Sequence, residues 1–109
     1  MKIEQPYGSL EWLATAEIGN AAESSMSRMI LAPGAVSPLH VHSNCEEIAV
    51  VQSGSIEAII NGKATTITEG QFAIARRNDK HQFHNTSDSE AIILLFYSSG
   101  QREYEAIEE

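Results

Sequence analysis

The most informative part of the chain is residues 34–54, which read GAVSPLHVHSNCEEIAVVQSG, together with residues 70–85, which read GQFAIARRNDKHQFHN. Both segments contain short apolar and β-branched runs that end at glycine or asparagine, a pattern typical of strands joined by turns. His40 and His42 are two positions apart, so on a strand both imidazoles leave the same face. The first segment therefore predicts a strand that presents two histidines side by side.

Further metal-ligating residues follow these histidines. Glu47 comes after a short polar loop, and the second segment supplies another histidine on a predicted third strand. Neutral imidazoles and a carboxylate suit a borderline first-row ion. The sequence therefore predicts a site for one divalent transition metal (Fe, Mn, Ni, Co, Cu or Zn) with the ligands His40, His42, Glu47 and His81.

The remaining sequence also reads as short strands with little helical periodicity. Asn61 and Gly62 predict a tight type I′ hairpin turn, since both residues tolerate a positive φ. The tail, residues 101–109, is compatible with a short helix, a final strand or a frayed end. About eight or nine strands at this spacing predict an all-β sandwich or barrel. The predicted strands are residues 25–32, 36–41, 47–51, 56–60, 63–68, 71–75, 81–85 and 91–97.

Composition limits the classes of partner. The 109 residues, 42% of them hydrophobic, suit one globular domain, and the formal net charge of -8 argues against nucleic acid as a partner. The longest apolar run, residues 91–97, is far shorter than the roughly 20 residues of a membrane helix, so no membrane partner is expected. The N-terminal residues show no apolar signal region, and Cys45 is the lone cysteine. We therefore expect a cytoplasmic protein without an intrachain disulfide.

The two segments resemble the two signature motifs of the cupin superfamily, and the match extends over residues 34–85, about half the chain. The resemblance implies a double-stranded β-helix, or jelly-roll barrel, as a single domain over residues 1–109. Its motif-bearing core would cover about residues 25–98, with both terminal extensions packed on the barrel or on a partner subunit. A homodimer is implied in the same way. The matching positions are Gly34, His40, His42, Glu47, Gly54, Gly70, His81 and Asn85.

The family spacing also decides between neighbouring candidates for one ligand. The spacing to Gly54 favours Glu47 over Glu46, and strand alternation then turns Ala49 and Val51 inward together with Glu47. The second segment departs from the family pattern, because Arg76 and Asn78 stand where a proline and a glycine are usual. Asparagine is a common substitute where φ must be positive, so we expect the turn to survive.

Other side chains are candidates for contacts with a small-molecule substrate. Phe83 lies two residues after His81, so it should point to the same face of the predicted strand and line the pocket. Arg76 and Arg77 either form an exposed basic turn paired with nearby acids or clamp an anionic group of the substrate. Several polar and aromatic residues are expected to have structural roles instead. These are His84, which should face away from His81, Asn85, which should satisfy backbone groups, Cys45 as a small hydrophobe, and Tyr7, Trp12 and Tyr104 as packing or oligomer contacts.

The resemblance implies several activities, because cupins include dioxygenases, decarboxylases, sugar-type isomerases and cyclases, and also binding proteins without catalysis. A fold alone does not choose among them. We expect a metal-dependent, dioxygenase-like oxidoreductase that acts on a small organic molecule. Two alternatives stay open: a non-catalytic domain that binds or senses a small molecule, and an isomerase or lyase that uses the metal as a Lewis acid.

Overall fold

The computed structural model describes residues 1–108, and their regular structure consists of β-strands, as the sequence predicts. No helix in this range is long and apolar enough to cross a membrane. The strands are β1 (Lys2–Gln5), β2 (Gly8–Ala14), β3 (Ser25–Leu31), β4 (His40–Val41), β5 (Glu47–Ser53), β6 (Ser55–Ile60), β7 (Lys63–Thr68), β8 (Phe72–Ala75), β9 (His81–His84), β10 (Ala91–Tyr97) and β11 (Glu105–Ala106).

The strands form two antiparallel sheets. One has six strands in the order β1-β2-β3-β10-β5-β8, and the other has five in the order β11-β4-β9-β6-β7. Strand β10 lies between β3 and β5, and strand β9 lies between β4 and β6. The alternation of buried and more exposed residues along β3, β5 and β10 places one side of the larger sheet in the core. The core includes Leu31, Val51, Ile93 and Tyr97.

Two turns have the backbone that their residues predict. Asn61 and Gly62 have φ values of 51° and 81° between β6 and β7, so the predicted hairpin is confirmed. Asn78 has a φ of 66°, so asparagine does sustain the turn that precedes β9. Gly54 has a φ of 90°, and a Cβ there would lie 2.9 Å from the backbone oxygen of Glu90. The tight passage from β5 to β6 therefore requires glycine.

The prediction for residues 36–41 was largely wrong. Only His40 and Val41 form a strand, and Val36 makes an isolated bridge to His84. Pro38 lies between them and has no N–H to donate to a sheet, which explains the interruption. Strands β1 and β2 were also missed. In the acidic tail, the alternative of a final strand is correct for β11, which pairs with β4.

Candidate metal centre

Three different parts of the fold bring four ligand atoms together. His40 lies in β4 directly opposite His81, the first residue of β9, and His42 follows β4 by one residue. Glu47 begins β5 in the other sheet. Each residue offers one ligand atom, and these four atoms lie within 4.8 Å of one another. All four side chains are buried, the most exposed being His40 at 4%. The four predicted ligands therefore share one site that could hold a metal ion.

Backbone carbonyl groups orient all three imidazoles in the same way. The Nδ1 atom of His40 lies 2.8 Å from the Pro38 oxygen, that of His42 lies 2.7 Å from the Glu103 oxygen, and that of His81 lies 2.8 Å from the Asp79 oxygen. A carbonyl oxygen can only accept, so each Nδ1 carries the ring proton and donates it. Each Nε2 is then the atom left to bind a cation. Such a partner for the remote nitrogen is typical of histidines that ligate metals.

The inner atoms of the site lack sufficient hydrogen-bond donors. Glu47 Oε1 lies 2.9 Å from His42 Nε2 and 3.3 Å from His81 Nε2, so lone pairs face each other unless a proton or cation lies between them. Within residues 1–108, His40 Nε2 and Glu47 Oε2 have no hydrogen-bond partner although both are buried. Burying unsatisfied polar atoms costs about 1–3 kcal/mol each. A divalent ion would satisfy both, so these residues fit a metal.

The pKa values indicate how protons compete for this site. Burial, helped by the neighbouring His81, lowers the pKa of His40 to about 4, so this ring is neutral at pH 7. Burial alone would raise the pKa of Glu47, but the adjacent imidazoles of His42 and His81 outweigh burial and hold that pKa well below its usual range. Burial alone would lower the pKa of His81, but the hydrogen bond with Glu47 and its charge raise it. Glu47 is therefore an anion, and a proton occupies the ring of His81 more readily than the ring of His40.

A cavity of about 300 Å³ opens beside this centre, with His40 and Glu47 in its wall. Much of the remaining wall is apolar and comes from the six-stranded sheet, including Leu10, Met29 and Leu95. Phe83 also lines the cavity, as the sequence predicts. The ligand cluster is therefore accessible from a space large enough for a small organic molecule.

The tail contributes to the site in ways that the sequence prediction missed. The Glu103 carbonyl orients His42, and the Tyr104 ring stacks on His40 at a centroid distance of 4.7 Å and an angle of 23°. Tyr104, Tyr7 and Arg102 also line the cavity, so the prediction that these tyrosines serve only packing or oligomer contacts was incomplete. The sequence signal that could have indicated this role is the alternation of Arg102 and Tyr104 in the tail. That signal can be interpreted only once β11 is known to pair with β4, beside the ligands.

Arg76 and Arg77 occupy a different place. Both are exposed, and both line a separate surface depression together with Glu46 and Ser98. The cavity beside the candidate metal centre is lined by Arg102 and not by either of these residues. The structure therefore does not bring Arg76 or Arg77 together with the four candidate ligands.

The structural roles expected for neighbouring residues agree with their surroundings. Glu46 is exposed, whereas Ala49 and Val51 point inward with Glu47. His84 Nδ1 lies 3.7 Å from Glu57, outside the cluster. The Asn85 amide donates to the backbone oxygens of Leu31 and Ser89. Cys45 is fully buried in the apolar core, where burial raises the pKa of its thiol.

Comparisons with known proteins agree with this architecture. Residues 27–97 match the family model described as Cupin domain. The chain is 28% identical over 97 residues to oxalate oxidase GF-3.8 of Triticum aestivum, and the match covers 82% of this chain and 42% of that protein. The chain thus spans less than half the length of this curated relative.

Two solved structures share the fold. An oxalate oxidase in complex with the substrate analogue glycolate has a TM-score of 0.85 at 24% identity, covering 94% of this chain and 57% of that one. The formate complex of Lactobacillus farciminis oxalate decarboxylase has a TM-score of 0.90 at 16% identity, covering 98% and 33%. At these identities the likeness concerns the fold alone. Together with the family match over residues 27–97, it shows that the chain belongs to the cupin family.

Proposed function

We propose that this cupin is a metal-dependent, dioxygenase-like oxidoreductase that acts on a small organic molecule in the cavity. The observation that carries the proposal is the position of the ligand cluster. His40 and Glu47 have buried, unsatisfied atoms and also line the space that a substrate would enter. A metal site that serves only the fold has no need of such a cavity.

His40, His42, Glu47 and His81 would hold the ion. When bound, a redox-active ion supplies electron transfer between an organic molecule and dioxygen, and it polarises oxygen-containing groups. The backbone carbonyls behind the imidazoles fix the ring orientations. The apolar wall formed by Leu10, Met29 and Leu95 provides a surrounding of low polarity, which strengthens charge interactions within the cavity.

The wheat relative favours oxidation over the isomerase and lyase alternatives. That protein is named an oxalate oxidase, so its substrate is a small organic acid. Its similarity to this chain extends over most of the residues that build the barrel and the ligand cluster. We therefore propose oxidation of a small, oxygen-rich organic molecule as the activity of this chain.

Oxygen consumption tests the proposal. Protein loaded separately with Fe²⁺, Mn²⁺, Ni²⁺ and Zn²⁺ is screened with a panel of small organic molecules in an oxygen electrode. We expect uptake with at least one redox-active metal, none with Zn²⁺, and loss of uptake in the double variant His40→Ala/His42→Ala. A compound that binds the metal-loaded protein tightly but gives no uptake with any metal would overturn the oxidoreductase in favour of a binding protein.

A further inference from the structure

We propose that Arg102 forms an anion-binding subsite in the cavity and holds a carboxylate group of the ligand. This inference rests on the proposed function for the identity of the site, and it adds the substrate class: a small carboxylic acid in its ionised form. The subsite belongs to the tail of the chain, outside the two motif segments that supply the metal ligands.

Among the described residues that line the cavity, one side chain carries a permanent positive charge. Arg102 lines the cavity together with His40 and Glu47. In a chain with 15 acidic and 7 basic residues, an arginine readily finds a carboxylate, as Arg28 does with Glu11 at 3.2 Å. Within residues 1–108, however, no carboxylate pairs with Arg102, and its N–H groups donate no hydrogen bond. An arginine in a cavity with five unused donors is suited to an anionic ligand.

Aromatic rings hold this arginine in place. Its Cζ lies 4.8 Å from the ring centroid of Tyr104, 4.9 Å from that of Trp12 and 5.3 Å from that of Tyr97. These cation–π contacts stabilise the positive charge. They leave the N–H groups able to donate hydrogen bonds to a carboxylate oxygen. The side chain is therefore ordered before a ligand arrives, which reduces the entropy lost on binding.

Tyrosine hydroxyls add donors to the same space. Burial raises the pKa of Tyr7, although the charge of Arg102 opposes this shift, so the hydroxyl keeps its proton. In the part of the chain that the structure describes, this hydroxyl has no hydrogen-bond partner, and Tyr7 lines the cavity with Arg102. A carboxylate held by Arg102 could accept from Tyr7 as well.

The size and charge of the cavity define the ligand more closely. Tyr104 contacts both Arg102 and His40, so the arginine lies close to the candidate metal ligands in the wall of one cavity. A volume of about 300 Å³ has ample room for a small organic acid. A divalent ion, Glu47 and Arg102 together carry a charge of about +2, which a monoanion or dianion complements. A small mono- or dicarboxylate therefore fits this cavity better than a neutral compound.

Binding measurements test the subsite without relying on turnover. Trp12 is the single tryptophan and contacts Arg102, so its fluorescence reports on the subsite. Zn²⁺-loaded protein is titrated with malonate, and with malonamide as the neutral match. For Arg102→Gln we expect malonate affinity to fall about 10- to 100-fold, as for lost charge-assisted hydrogen bonds, with malonamide affinity unchanged. Arg102→Lys keeps the charge but loses the paired donors of the guanidinium group, so its malonate affinity should lie between those of the wild type and Arg102→Gln.

Controls keep the test decisive. Arg76→Gln and Arg77→Gln remove exposed charges outside the cavity and should change malonate affinity less than about threefold. Thermal unfolding of each variant checks that the fold persists, and Arg102→Lys serves if Arg102→Gln does not fold. Equal malonate affinity in the wild type and the folded Arg102 variant would overturn the subsite. Arg102-dependent malonate binding, with no oxygen uptake from any compound of the panel with any redox-active metal, would refute the oxidoreductase alone. Uptake with neutral compounds that does not depend on Arg102 would refute the subsite alone.

Discussion

Shortening the chain so that it ends at Arg102 should weaken metal binding while leaving the barrel folded. The deletion of residues 103–109 removes the Glu103 carbonyl that accepts from His42 Nδ1 at 2.7 Å and the Tyr104 ring that stacks on His40. It also removes the pairing of β11 with β4, the strand that carries His40. Two of the four candidate ligands therefore lose a contact that fixes their orientation.

The deletion should have separate effects on metal affinity and on the free energy of unfolding. Loss of the partner of a ligating histidine typically weakens metal binding 10- to 100-fold, and we expect a loss in this range. The fold loses the Glu103 carbonyl contact, the hydrogen bonds of 2.7 Å from Glu103 N to Asn44 Oδ1 and of 2.9 Å from Ile107 N to the Leu39 oxygen, and the short β11–β4 ladder. At about 1 kcal/mol for each hydrogen bond, the free energy of unfolding should fall by about 3–5 kcal/mol.

Isothermal titration of metal-stripped protein with Zn²⁺ measures the affinity, and denaturant unfolding in EDTA measures the stability. A chain that lacks only residues 108 and 109 is the matched control and should bind like the wild type. Unchanged affinity in the shorter chain would refute the role given to Glu103 and Tyr104. A shorter chain that fails to fold would show that the tail supports the barrel far more than these few hydrogen bonds allow.

Two further predictions concern pH and stability. Because the pKa of His81 is raised, its proton competes with the ion, so Zn²⁺ affinity should weaken as the pH falls from about 7.5 to 5.5; the pKa of His40, about 4, lies below this window. The Zn²⁺ affinity of His84→Ala should depend on pH as the wild-type affinity does. A wild-type affinity that does not change with pH would contradict histidine ligation. Asn85→Ala should lower the free energy of unfolding by about 2–4 kcal/mol, since the buried amide donates to the backbone oxygens of Leu31 and Ser89. Denaturant unfolding measures this, and a loss below about 0.5 kcal/mol would contradict the role of Asn85.

Sequence reasoning succeeded where local chemistry determines the backbone. Asn61 and Gly62 tolerate the positive φ of a tight hairpin, and this hairpin joins β6 and β7. Once the family spacing selects Glu47, strand alternation likewise places Ala49 and Val51 in the core on the same face. These features depend on neighbouring residues, so they can be predicted from a single sequence.

Sequence reasoning failed where the tail of the chain meets the barrel. Nothing in residues 101–107 indicates that they pair with β4, because two residues of strand have no periodicity to detect. The basic cluster near Arg76 is conspicuous in sequence, yet Arg102 is the arginine that lines the cavity. The aromatic surroundings of Arg102 come from residues up to 90 positions away, such as Trp12, and tertiary packing alone brings them together.

Metal content is the most direct test of the central claim that four side chains from three parts of the fold hold one ion. The protein is reconstituted with a first-row metal, desalted and analysed by elemental analysis alongside His40→Ala/His42→Ala and His84→Ala. We expect about one ion per chain in the wild type and in His84→Ala, and none in the double variant. A wild type that retains no metal after reconstitution, or a double variant that retains as much as the wild type, would contradict the claim.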